Sequence, residues 1–94
     1  MHLRLTRGRF DPARYDESVA LSREVGDALA RLPGFVAYRG GGDRATGAVV
    51  AVSTWETAEQ ARFPREALGD VVARLLAAGA QLEPPAVYEV VVER

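Results

Sequence analysis

The spacing of apolar residues changes period repeatedly along this chain, and each change predicts an element. Leu3-Arg4-Leu5-Thr6-Arg7 alternates apolar and polar positions, the two-residue period of a strand. Asp11-Pro12 then predicts a helix start, because an aspartate accepts an orphan backbone N–H and proline suits the first helical position. Leu21, Val25, Ala28, Leu29 and Leu32 follow at three- and four-residue spacing, with Arg23, Glu24, Asp27 and Arg31 between them. That is an amphipathic helix with one buried stripe, stopped by Pro33-Gly34. Phe35–Arg39 reads as a second strand, Gly40-Gly41-Gly42-Asp43 as a turn, and Gly47–Ser53 as a third strand, so the two strands form an antiparallel hairpin.

Beyond Trp55, Thr57 and Gln60 match a capping box, the threonine capping an amide while the glutamine reaches back. A short helix from Ala58 to about Phe63 is interrupted at Pro64. A longer one places Leu68, Val71, Val72, Leu75 and Leu76 on one face, with Gly79 as terminator. Pro84-Pro85 leads stiffly into a last strand, Val87–Val92. The order β-α-β-β-α-β over residues 1–94 is the split βαβ pattern of one α+β, ferredoxin-like domain with an antiparallel sheet.

The predicted sheet carries more apolar surface than its helices can cover. Both helices of such a domain pack on one face, which leaves the other to water if nothing else covers it. Strand three points Ala48, Val50 and Val52 one way and Val49, Ala51 and Trp55 the other. Strand two opposes Phe35 and Ala37 to Val36 and Tyr38. Strand four sets Tyr88, Val90 and Val92 against Val87 and Val91, with Glu89 and Glu93. Large apolar patches mark interfaces, so a two-fold pair of chains, sheet against sheet, is expected. A smaller solvated face or a ligand floor is the alternative.

Composition narrows the function classes. Ninety-four residues, 48% of them hydrophobic and 27% charged, describe an ordinary folded domain. Twelve basic residues, all arginine, against thirteen acidic ones give a net charge of −1 and no basic excess for nucleic acid. No apolar run approaches the ~18 residues of a membrane span, and the start lacks a signal-peptide core, so a soluble cytoplasmic protein without membrane partners is expected. There is no cysteine, which removes disulfides, thiolate metal sites and thiol nucleophiles.

Side-chain chemistry is sparse. The glycine tract precedes a strand rather than a helix and no lysine exists, which argues against a phosphate loop. His2, the sole histidine, is next to a terminus, a poor place for a fixed general base. With one histidine and no cysteine, no metal-ligand spacing arises. Asp16, Glu17, Glu56, Glu59 and Asp70 lie at helix starts or exposed faces, where dipole complementation accounts for them. Ser18, Ser22 and Ser53 have no histidine or lysine nearby in sequence to activate them. Trp55, at the end of an apolar strand, either lines a cleft or belongs to the core. Tyr38 and Tyr88 present phenols to a ligand or serve packing.

Leu32-Pro33-Gly34-Phe35, the apolar strand ending in Trp55-Glu56-Thr57, and Ala58-Glu59-Gln60-Ala61 resemble the antibiotic biosynthesis monooxygenase-like proteins of the dimeric α/β-barrel superfamily. The resemblance implies a homodimer whose sheets form a shared barrel, with a small cleft between sheet and helices in each subunit. Haem-degrading members of that superfamily match at Trp55, but their strand-one asparagine and their histidine ligand after the tryptophan have no counterpart here. Strand one offers Arg4 and Thr6, and no imidazole follows Trp55, so haem degradation is disfavoured. The quinone-forming oxygenase members work without metal or flavin, the protein binding a deprotonated substrate and stabilising its charge. For that role the resemblance implies Trp55, Tyr38, Tyr88 and Phe63, with Arg39 or Arg4, around a small apolar or aromatic molecule and no cofactor. The expectation is a cofactor-independent monooxygenase of a small aromatic or polyketide-type molecule. The alternative is a non-catalytic ligand-binding or structural dimer on the same scaffold, since one fold hosts many functions.

Overall fold

A computed structural model describes residues 1–94, with β1 (His2–Arg9) at the centre of a five-stranded sheet. β3 (Ala48–Trp55) pairs antiparallel with β1 along its whole length, from His2↔Trp55 to Arg9↔Ala48, and β2 (Phe35–Gly42) pairs antiparallel outside β3. On the other edge of β1 lie β4 (Gln81–Leu82) and β5 (Ala86–Glu89), both antiparallel. This is the antiparallel ferredoxin-like order that the β-α-β-β-α-β pattern predicts. The helices α1 (Tyr15–Leu29), α2 (Ala58–Ala61) and α3 (Val71–Ala77) complete the α+β domain.

The caps read from sequence are in place. Asp11 Oδ1 accepts from the Ala13 amide at 2.9 Å, with Pro12 opening a 3-10 turn that leads into α1. Replacing Asp11 with alanine removes this cap and is expected to lower stability by about 1 kcal/mol. For a domain of this size that is a fall of about 4–8 °C in Tm, measurable by circular dichroism. Gly79, at φ +99°, ends α3: its amide donates to the Leu76 carbonyl at 3.1 Å and the Ala80 amide to that of Leu75 at 3.0 Å. These are the paired bonds of a Schellman motif.

Other expectations are corrected. The last strand is broken: its pairing with β1 slips by one residue between Leu82 and Ala86, across Pro84-Pro85, which have no N–H to give a ladder. It ends at Glu89 rather than Val92, the Val90 amide making a last bond to the Met1 carbonyl at 2.9 Å. The long second helix is also broken. Arg65–Leu68 forms a 3-10 turn, and Gly69 at φ +69° separates it from α3. Leu76 is accordingly exposed rather than on the buried stripe. Thr57 Oγ1 does accept from the Gln60 amide at 3.1 Å. The glutamine side chain does not reach back, because it fills the space over Gly34, where a Cβ would collide with it.

The correction that matters most for the site is in β2. An irregularity between Phe35 and Ala37 inserts Val36 as an extra residue, so the register runs Phe35↔Trp55, Ala37↔Thr54, Tyr38↔Ser53. A bulge of this kind resets the alternation. Phe35 and Tyr38, expected on opposite faces, therefore share the helix-covered face with Ser53 and Trp55.

Two buried clusters hold the helices to the sheet. One joins Phe10, Leu21, Val71, Val72, Ala78 and Ala80; the other joins Leu29, Trp55 and Ala61, with Phe35, Phe63 and Val87 packed around them. Arg74 clamps α3 to α1 through both nitrogens of its fork, Nη2 to Glu24 Oε1 at 2.7 Å and Nη1 to Oε2 at 3.1 Å. No helix is long and apolar enough to cross a membrane.

Candidate functional site

Between α1 and the sheet the two clusters leave a cleft of about 690 Å³. That lies within the range of small-molecule sites, roughly 300–1,000 Å³. The space comes from missing side chains. On the sheet, Thr6, Gly8, Gly40, Gly42 and Ala51 all face the helices and all line the cleft. On α1, Ser18, Ser22 and Gly26 recur every four residues, so they fall on one helical face. Small residues oppose small residues, and the layers cannot close.

Two tyrosines use the gaps left by glycine. The Tyr38 ring lies where a Cβ on Gly26 would come within 3.0 Å of it, and a Cβ on Gly42 would collide with the Tyr15 hydroxyl. Burial pushes the Tyr38 phenol above its ordinary pKa, the Ser22 hydroxyl beside it partly offsetting the shift. At neutral pH Tyr38 is therefore a neutral O–H donor inside the cleft.

Arg4 is held from two sides. Its Nη1 donates to the Ala61 carbonyl at 3.0 Å and to the Phe63 carbonyl at 3.1 Å. The guanidinium carbon sits 3.9 Å from the Phe63 ring centroid, a cation–π stack. Burial, and then the charge of Arg65, lower the Arg4 pKa. Both causes describe a cation short of water and of a counter-ion. Arg4 and Tyr38 each pair with Ser53, so the three form one row across neighbouring strands on the cleft face. At about 4.8 Å per strand the row is about 10 Å long, the width of a fused aromatic system.

Of the residues expected at the site, the structure brings Arg4, Tyr38 and Phe63 together along the cleft. Trp55 is elsewhere. It is 0% exposed, packed edge-on to Phe35 at 5.7 Å between ring centroids and tilted against Phe63 at 5.1 Å. Its Nε1 donates to Ser53 Oγ at 2.8 Å, so it backs the cleft wall from behind, through Ser53 and Phe63, without lining it. Tyr88 and Arg39 point to the opposite, open face of the sheet. Tyr88 is paired with Leu3 and Arg39 with Val52, and alternation puts both away from the helices. Sequence reasoning missed Ser22, Ser53 and Arg65 as cleft residues. The four-residue spacing of Ser18, Ser22 and Gly26 was the available signal for the first; Arg65 reaches the cleft through a turn that follows Pro64 and has no such periodicity.

The arrangement can bind a flat apolar molecule and meet negative charge on it with one neutral donor and one fixed cation. No histidine lines the cleft, and no cluster of acidic and histidine side chains forms a metal site.

No family model matches the sequence, and no curated protein matches it. Solved structures do match. The whole chain aligns with 96% of a candidate antibiotic biosynthesis monooxygenase from Deinococcus radiodurans, at a TM-score of 0.78 and 13% identity. It aligns equally fully with 96% of HapK from Hahella chejuensis, at a TM-score of 0.76 and 17% identity. SnoaB from Streptomyces nogalater, a cofactor-independent oxygenase, covers 98% of the chain with 94% of its own, at a TM-score of 0.68 and 17% identity. Identities this low carry the architecture and not the chemistry. In fold, then, the chain is similar to the antibiotic biosynthesis monooxygenase structures.

Proposed function

We propose that the chain is a cofactor-independent monooxygenase of a small, flat aromatic or polyketide-type molecule, bound between α1 and the sheet. The observation that carries this reading is the row Arg4–Ser53–Tyr38 on the wall of a cleft of about 690 Å³. A substrate whose C–H is flanked by aromatic rings and a carbonyl becomes an enolate when it loses that proton. The Tyr38 O–H donates to the enolate oxygen, and preorganised donors of this kind stabilise developing charge strongly in a site shielded from water. The proton passes to water at the cleft mouth. The carbanion carbon then bonds to dioxygen, and the resulting peroxide takes up a proton. Loss of water from it leaves a carbonyl, with one oxygen atom kept, the other released as water, and the substrate supplying every electron. SnoaB, similar in fold, is a cofactor-independent oxygenase, which supports the assignment.

The test is oxygen uptake with anthrone, a tricyclic ketone with an acidic methylene. The wild-type chain is expected to consume dioxygen and yield anthraquinone, and Ala51→Trp, which fills the cleft floor, to abolish both with its circular dichroism unchanged. Equal turnover in the filled variant would overturn the site. The lack of a cleft histidine favours one second reading, a carrier that binds without turnover. Saturable anthrone binding with no oxygen uptake identifies it.

Self-pairing belongs to the same reading. The open sheet face exposes Val50 at 37%, Val36 at 43% and Tyr88 at 52%, and the tail beyond β5 exposes Val91 and Val92. Only 12 of 94 residues are buried in the single chain, which is little for a domain of this length. A second copy, sheet against sheet, covers that face and makes a homodimer.

A further inference from the structure

Arg4 and Arg65 line the cleft close enough for one charge to act on the other, and neither is ion-paired to the cleft's carboxylates, Asp27 and Glu83. Arg65 makes no hydrogen bond or ion pair, while the arginines with close acidic partners, Arg14, Arg44 and Arg74, lie outside the cleft. Arg4 uses Nη1 alone, on the Ala61 and Phe63 carbonyls, and its Nε–Nη2 edge has no acceptor in the chain. That edge presents parallel N–H groups, the geometry that matches both oxygens of a carboxylate and that a single phenolate oxygen cannot satisfy. The Phe63 ring stacked on the guanidinium fixes its plane, and the carbonyls fix its rotation. The donor edge is therefore positioned before any ligand arrives, which reduces the ordering penalty of binding.

From this we infer that Arg4 and Arg65 form a carboxylate subsite, so the molecule taken by the cleft is a planar aromatic carboxylate. Its rings lie over Ser53 and Ala51 and its far edge reaches Tyr38. The inference rests on the cleft's being the binding site, and adds the charge class of the ligand. The carboxylate is an anchor remote from the reacting carbon: Arg4 holds it at one end of the row while Tyr38 meets the enolate oxygen at the other.

The probes are anthracene-2-carboxylate and its uncharged, nearly isosteric carboxamide, followed by their own fluorescence. The wild-type chain is expected to bind the carboxylate at least about tenfold more tightly, the lower end of what a charge-assisted pair of hydrogen bonds contributes. The preference should shrink as salt is raised. Arg65→Glu, at an exposed turn position, is expected to remove most of the preference, weakening carboxylate binding far more than carboxamide binding. Arg4→Gln should do the same, with Arg65→Glu deciding the matter if loss of the carbonyl contacts unfolds that variant. Equal affinity for the two probes, or a preference that survives Arg65→Glu, overturns the subsite and leaves the cleft reading standing. Binding of both probes that persists in Ala51→Trp places them outside the cleft, and binding of neither removes the cleft as their site; each overturns both readings together.

Discussion

Trp55→Ala is expected to lower the free energy of unfolding by about 3–5 kcal/mol, the range for truncating a buried aromatic side chain to alanine. The whole stability of a small domain is about 5–15 kcal/mol, so this one truncation removes a large fraction of it. The tryptophan is fully buried, anchors the cluster with Leu29 and Ala61, and holds Phe35 and Phe63 in edge and tilted contact. Phe63 in turn carries the Arg4 guanidinium on its face, so the damage reaches the cleft wall. Trp55→Phe keeps one ring in the cluster and loses the N–H that bonds Ser53 Oγ together with part of the buried volume. Its loss is expected to be smaller than that of the alanine variant. Urea unfolding followed by far-ultraviolet circular dichroism measures both, since the variants remove the only tryptophan fluorophore. A loss below about 1 kcal/mol in Trp55→Ala, the usual size for a surface change or less, would show a residue facing solvent instead.

Val52→Glu is expected to turn a particle of twice the 10.2 kDa chain mass into a single chain. Val52 sits mid-sheet on the open face, between Leu5 of β1 and Arg39 of β2. In one chain the new carboxylate has water and a neighbouring guanidinium, so the monomer should keep its fold. Between two packed sheets it would be buried beside its symmetry mate. Leaving a charge uncompensated in such a place costs about 3–5 kcal/mol, enough to weaken association at least about a hundredfold. Sedimentation velocity at micromolar concentration reads the outcome. A wild-type particle already at the single-chain mass would refute the pairing, and a paired Val52→Glu would place the contact elsewhere.

The parts of the molecule legible from sequence are those written in local chemistry. Asp11-Pro12, Thr57 and Gly79 announce helix ends because capping is settled within a few residues. The strand from Ala48 to Trp55 is legible because both of its faces are apolar. What failed depended on registers between distant segments. Nothing in Phe35-Val36-Ala37-Tyr38 announces a bulge, yet that single extra residue moves Tyr38 to the helix side. Trp55 has the same local sequence whether it lines a cleft or fills a core. Its place is decided by Leu29, Phe35 and Phe63 arriving from three other segments. The cleft was hardest to see, because absent side chains on separate elements make it.

A cavity produced by omission can be recut one position at a time, and the glycines around it differ sharply in how much they permit. A methyl group on Gly8 would meet the Gln81 carbonyl oxygen at 2.7 Å, and one on Gly42 would strike Tyr15, so those positions are closed to change. Gly40 has no such obstacle: its added carbon would rest at 3.5 Å from the Tyr38 hydroxyl, an ordinary contact. Ligand range in chains of this architecture can therefore drift through that one position. Larger residues there would shorten the molecule accepted while the buried clusters on either side stay as they are.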